Sequence, residues 1–130
     1  MIQYCGRTDV GRRRIRNEDN ILVAHGVLVV CDGIGGHQAG DVASRTAVDA
    51  IAGFIGRSEE GRAVTWPYGF DPSLSYGANR LRTAIKLANR EVFRTSEERP
   101  ECAGMGTTLT TALVDQAHVL FSNVGDSRLY

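Results

Sequence analysis

Five consecutive apolar residues, Val27-Leu28-Val29-Val30-Cys31, run directly into Asp32 and then into Gly33-Ile34-Gly35-Gly36-His37-Gln38-Ala39-Gly40. A short apolar run bounded by turn residues reads as a buried strand. From Gly40 the pattern changes to helical spacing, so the glycines join a strand to a helix. An acidic group at the mouth of a buried strand is costly unless a cation meets it. A metal ion is the natural partner, and this junction is where chemistry is expected.

The rest of the chain supplies few elements. Ile21–Ala24 and Val27–Val30 read as two strands joined by a tight turn at His25-Gly26. Val42, Ala43, Ala47, Val48, Ile51, Ala52 and Ile55 recur at three- and four-residue spacing, which predicts a helix over 40–55. Residues 57–76 have no period and contain Pro67, Pro72 and the only tryptophan. They read as a long loop with Trp66 as a hydrophobic plug beneath it. A second helix is expected over 77–97, with Leu81, Ile85, Ala88 and Val92 on its apolar face, widened by Ala84 and Phe93. Its arginines and glutamates read as a solvated face, and Pro100 ends it. Strands follow at 107–114 and 118–124, and a further strand is expected from Ser127 to Tyr130. Strands, two helices and strands again predict an α+β domain with segregated layers.

Length and charge narrow the function. The chain has 130 residues, room for one small domain. Fifteen basic and 15 acidic side chains balance, so no global field favours nucleic acid or a membrane surface. The run Arg12-Arg13-Arg14-Ile15-Arg16 is short and lacks interleaved aromatic residues, so nucleic acid is not an expected partner. No apolar stretch is long enough to span a bilayer, and no signal-peptide core is present. Cys5, Cys31 and Cys102 are scattered, with no CxxC pair. They read as core fillers in a reducing cytoplasm.

Three acidic positions are candidates for chemistry: Glu18-Asp19 before the first clear strand, Asp32, and Asp126 after the last paired strand. Carboxylates gathered around a hard cation such as Mn²⁺ or Mg²⁺ supply oxygen ligands. Gly33 has no side chain, so its carbonyl can approach a metal closely. Taken singly, each aspartate has a plainer reading as a partner of local turn backbone. Arg14 offers a planar fork suited to phosphate oxygens, and is otherwise a surface charge. Gly33-Ile34-Gly35 begins like a nucleotide-binding loop, but position 38 is glutamine and no GK[ST] follows. His37 is either a proton donor or a helix-entry residue. Cys31 beside Asp32 is a poor nucleophile.

Four blocks in order now carry a resemblance. They are Arg14-Ile15-Arg16-Asn17-Glu18-Asp19, the stretch from Asp32 to Ser44, Gly104-Met105-Gly106-Thr107-Thr108, and Asn123-Val124-Gly125-Asp126-Ser127-Arg128-Leu129-Tyr130. Together they resemble the PP2C-type (PPM) metal-dependent serine/threonine protein phosphatases, most closely the bacterial members. The resemblance covers nearly the whole chain but about the first half of the family's domain. It implies a four-layer αββα sandwich, with residues 1–130 a partial domain. It implies that Arg14 binds phosphate and that Asp19 holds a metal. Asp32 would bridge two metals, Gly33 would offer its carbonyl to the second, and Asp126 would serve a third, weaker ion. The cofactor would be Mn²⁺ or Mg²⁺, two ions or three in a complete domain. The implied reaction is hydrolysis of phosphoserine or phosphothreonine by a metal-bridging water, on a phosphoprotein made by a serine/threonine kinase.

Two departures qualify this. Ile34 stands where some members, notably eukaryotic ones, carry a histidine. The family's later aspartate motifs are absent, so this chain alone is expected to be weak or inactive. The alternative is a non-catalytic regulatory or binding module of the same descent.

Overall fold

The computed structural model describes residues 3–35, 39–115 and 118–130. Its elements are strand β1 (Asp19–Ala24), β2 (Val27–Ile34), helix α1 (Ala39–Arg57), α2 (Tyr76–Glu98), a short 3-10 turn at Pro100–Cys102, and strands β3 (Gly106–Thr107), β4 (Leu109–Asp115) and β5 (His118–Val124).

The sheet runs β1-β2-β4-β5, antiparallel throughout, with β3 pairing β2 beyond the end of β4. The β1–β2 turn places His25 at φ 52° and Gly26 at φ 72°. Two positive φ values in succession give the turn a twist that matches the flanking strands. Alternation along β2 sends Val27, Val29 and Cys31 to one face, where all three are buried. They pack with Leu109 and Leu113 of β4 against Ala47, Ile51 and Ile55 of α1 and Leu81, Ala84 and Ala88 of α2. The α-on-β core expected from the apolar spacings is therefore present.

The helices are anchored at their ends. Ser75 caps α2, its hydroxyl accepting from the Ala78 N–H at 3.1 Å. Arg80, expected on a solvated face, is instead buried, and its guanidinium donates to the Ile55 carbonyl at 2.8 Å and to Ser58 Oγ at 3.1 Å. It satisfies the Ile55 carbonyl at the end of α1, which no further helical turn reaches. The loop between the helices is organised by Trp66, whose ring meets Phe54, Phe70 and Tyr76 edge-on at centroid distances of 5.9, 5.2 and 5.6 Å. Trp66 is thus the plug expected of it. The buried side chain of Asn79 holds the same loop, exchanging hydrogen bonds with the Asp71 backbone, each at 2.8 Å.

The opposite sheet face carries no helix. Val23, Val30, Val119 and Phe121 are exposed there. At its β1 edge, Gly6 lies so close to Ile21 and Val23 that a Cβ would crowd both. The described residues thus form one α layer and one β layer of the expected sandwich, and the face toward a second sheet is open.

Several expectations need correction. Residues 127–130 form no strand, because a strand needs a neighbour for its ladder and none of the described residues pairs with them. Cys31 and Cys102 are buried as expected, but Cys5 is exposed. Phe93, on the far turns of α2, is 65 % exposed rather than part of the apolar face. The expected strand over 107–114 is two pieces, β3 and β4. Burial, rather than the charge of Asp32, pushes the Cys31 thiol up to about 12, slightly opposed by a hydrogen bond with Thr107.

Candidate functional site

The start of β1 and the end of β2 meet at one end of the sheet, where Asp19 and Asp32 are direct cross-strand partners. Because Cys31 and Gly33 point inward, Asp32 must point to the face away from the helices, and it is exposed. β2 continues two residues past it to Ile34. Asp32 is thus an outward-facing strand residue, not an acid trapped at a buried strand's mouth. Its neighbour feels the pairing. The Asp19 carboxyl is raised above its ordinary value, first by partial burial, then by the charge of Asp32 and a hydrogen bond with it, with Arg14 opposing and Glu18 adding slightly.

Uncharged residues hold both acids in place. The Asp19 N–H donates to Asn17 Oδ1 at 3.0 Å. The Asp32 N–H donates to Thr108 Oγ1 at 3.0 Å, and the Asp32 carbonyl accepts from the Thr108 N–H at 2.9 Å and from Thr107 Oγ1 at 3.1 Å. Thr108 Oγ1 also shares a 2.7 Å hydrogen bond with Ser127 Oγ. Nothing in the charge pattern marks these residues, because a hydroxyl or an amide has no periodicity and no charge. Their only signal was membership of the four motif blocks.

Gly33 ties this end of the sheet to the start of α1. Its N–H donates to the Glu18 carbonyl at 3.1 Å, and its own carbonyl lies on the same edge, as antiparallel alternation requires. The Glu18 carbonyl also accepts from Ser44 Oγ of α1 at 2.6 Å, and Ser44 Oγ accepts from Asn20 Nδ2 at 2.8 Å. A Cβ on Gly33 would overlap the Gly40 carbonyl. The glycines on either side of the strand–helix junction are therefore there for close backbone approach.

A cavity of about 460 Å³ opens over the two acids, lined by residues of the loop from Asp9 to Glu18 together with Asp19 and Asp32. Arg14 lines it too, its exposed side chain placing Nη1 3.7 Å from Oε2 of the half-buried Glu18. Arg14, Asp19 and Asp32 are thus brought together, with Gly33 next to them in β2. Asp126 is not: it is exposed after β5, at the same end of the sheet but outside the lining of this cavity. His37 lies outside the described residues, as do Gly36 and Gln38.

The oxygen donors fit a hard divalent cation in kind. In number they fall short. Among the described residues, no three His, Cys, Asp or Glu side chains gather closely enough to hold a metal.

Comparison with known proteins identifies the family. Residues 11–130 match the family described as Protein phosphatase 2C. The chain is 38% identical over 133 residues to the serine/threonine phosphatase Stp of Listeria monocytogenes, covering 95% of this chain and 47% of that protein. It is 31% identical to the serine/threonine protein phosphatase PstP of Mycobacterium tuberculosis, covering 100% of this chain and 23% of the relative. A crystal structure of the PstP catalytic domain in complex with two manganese ions superposes with a TM-score of 0.73 at 31% identity, covering 94% of this chain and 47% of that one. The chain therefore spans about half the length of the Listeria relative and of the solved catalytic domain.

Proposed function

The chain belongs to the protein phosphatase 2C family, and on that premise we propose that it carries the metal- and phosphate-binding beginning of a phosphoserine/phosphothreonine phosphatase centre. The observation that carries this reading is the cross-strand pair Asp19–Asp32 opening into the same cavity as Arg14. Asp19, Asp32 and the Gly33 carbonyl would hold Mn²⁺ or Mg²⁺, and Asp126 would serve a third ion in a complete domain. Bound cations would supply an activated water and offset the charge of the phosphoryl group. Arg14 would exchange its loose contact with Glu18 for a two-pronged hydrogen bond to phosphate oxygens, orienting phosphorus over the acids. Asn17 and Thr108 hold the backbone of the two acids, which fixes the positions from which their carboxylates project.

The substrate would be a phosphoprotein, the product of a serine/threonine kinase, in the cytoplasm. Relatives named serine/threonine phosphatases support the substrate class, and the manganese-bound relative supports the metal. Among the described residues no helix is long and apolar enough to cross a membrane. Because no three His, Cys, Asp or Glu side chains among the described residues gather closely enough to hold a metal, this chain by itself would hold metal weakly and turn over slowly.

Calorimetric titration with Mn²⁺ tests the reading, with Asp32→Asn as the comparison. Binding by the natural chain that disappears in the variant supports it. Absence of binding by the natural chain favours a non-catalytic module instead. Phosphopeptide hydrolysis by the 130-residue chain at the rate of a downstream-extended one would refute the expected weakness.

A further inference from the structure

The cavity over Asp19 and Asp32 is lined by four arginines drawn from five consecutive positions: Arg12, Arg13, Arg14 and Arg16. Four acids line it as well, and among the described residues none of them pairs with Arg12 or Arg13. Asp9 accepts the Gly11 N–H at 2.8 Å and faces Arg7 at 3.9 Å. Glu18 faces Arg14 at 3.7 Å. Asp19 and Asp32 face each other. Arg12 and Arg13 have no carboxylate partner among the described residues, and both are exposed on the turn that follows Gly11. Guanidinium groups keep their charge at every working pH. The rim of the cavity therefore holds two permanent, unneutralised cations beside the position assigned to phosphate.

We propose that Arg12 and Arg13 form a subsite for an anionic side chain close to the phosphoresidue, so that acidic phosphopeptides are the preferred substrate class. This rests on the phosphatase reading above. These arginines stand one and two positions before Arg14, a reach of about 3.5–7 Å along the chain. An extended peptide advances about 3.3 Å per residue, so an aspartate, glutamate or second phosphoresidue within two or three positions of the first falls opposite them. The observations favour a peptide over a nucleic acid. The cavity has a floor of carboxylates that would repel a continuous polyanion, and no aromatic residue lines it for base stacking.

The test is fluorescence anisotropy with labelled peptides and the intact chain in saturating Mn²⁺. Four peptides are compared: one phosphothreonine flanked by neutral residues, the same flanked by glutamates, the same with a second phosphothreonine, and the glutamate peptide without phosphate. The glutamate-flanked phosphopeptide is expected to bind about 3- to 10-fold more tightly than the neutral one, as two exposed ion pairs would give. The advantage should shrink with added salt. The double variant Arg12→Ala/Arg13→Ala should bring the acidic peptide down to the affinity of the neutral one, whereas Arg14→Ala should weaken every phosphopeptide alike. The doubly phosphorylated peptide separates a preference for phosphate from one for carboxylate at the same subsite. Equal affinity for acidic and neutral phosphopeptides overturns this inference and leaves the phosphatase reading standing. Binding that ignores phosphate, or no peptide binding at all, overturns both. Displacement of the acidic peptide by an equal concentration of a single-stranded oligonucleotide would assign the cations to nucleic acid instead.

Discussion

Gly33 and Gly40 meet backbone to backbone across the strand–helix junction, so closely that neither position has room for a side chain. A Cβ on Gly40 would lie 2.9 Å from the Gly33 carbonyl carbon and 3.0 Å from Glu18 Oε1, and one on Gly33 would overlap the Gly40 carbonyl. The obstructing atoms on both sides are mainly backbone, which cannot swing aside. Gly33→Ala is therefore expected to destabilise by about 3 kcal/mol or more, at the upper end of overpacking costs. Gly106→Ala, where a Cβ would meet nothing within 4 Å, should change stability by less than about 1 kcal/mol. Urea denaturation of the two variants measures the contrast.

The Asp19–Asp32 pair makes a prediction about pH. Burial and the facing carboxylate raise the Asp19 pKa in the folded state. The folded protein then holds a proton that the unfolded chain has released, through a window starting at the usual aspartate value. Stability of the metal-free protein falls as pH rises through that window and levels off above it. Asp19→Asn removes the effect, so its metal-free form should melt higher than the natural chain near neutral pH and show a flatter profile. Thermal melts in chelator between about pH 4 and about pH 7 measure both. Mn²⁺ needs the deprotonated ligand, so it should stabilise the natural chain increasingly with pH and leave Asp19→Asn nearly unmoved.

Thr108 holds the backbone of Asp32 rather than its carboxylate. Thr108→Val keeps the shape of the side chain but removes the acceptor of the Asp32 N–H and the partner of Ser127. Leaving a donor unmet costs about 1–3 kcal/mol, whereas Ser127→Ala should cost about 1 kcal/mol or less. A double-mutant cycle on chemical denaturation should find the two substitutions coupled. Additive losses would show that the hydroxyls act separately.

Arg80 is a buried cation with no carboxylate paired to it among the described residues, held by the Ile55 carbonyl and Ser58 Oγ. Its charge suits the negative end of the α1 dipole. Arg80→Ala is expected to lose about 1.5–3 kcal/mol, the range of hydrogen bonds to a charged group. Arg80→Lys should recover only part, because an ammonium cannot reproduce the guanidinium's two-directional contact. Equal stability of the lysine variant and the natural chain would contradict this account.

Periodicity made the elements legible. The spacing of Ala43, Ala47, Ile51 and Ile55 is local, and so are the alternation in β2 and the breaking power of Pro100. Each therefore identifies its helix, strand or stop without knowledge of the rest. The motif blocks likewise pointed to Arg14, Asp19, Asp32, Gly33 and Asp126 before any geometry was known. Failures came where an element depends on something distant. Residues 127–130 have the composition of a strand but no neighbour among the described residues to complete a ladder. Phe93 has helical phase but lies where no other element shelters it. Arg80 looked like one more surface charge until α1 ended against it.

The sequence by itself determined that this chain makes strands and two helices in segregated layers, with acids and glycines concentrated at its turns. Those properties follow from short-range hydrogen bonding and the hydrophobic pattern. Only the tertiary structure decided which acids meet. Strand register sets Asp19 against Asp32 and leaves Asp126 outside their cavity. Chain crossings place Thr108 and Ser127 behind Asp32, and press Gly33 onto Gly40. Register and close approach join residues up to 95 positions apart (32 to 127) through the Thr108 link. Nothing in the local pattern of an uncharged hydroxyl or a glycine announces what it will touch.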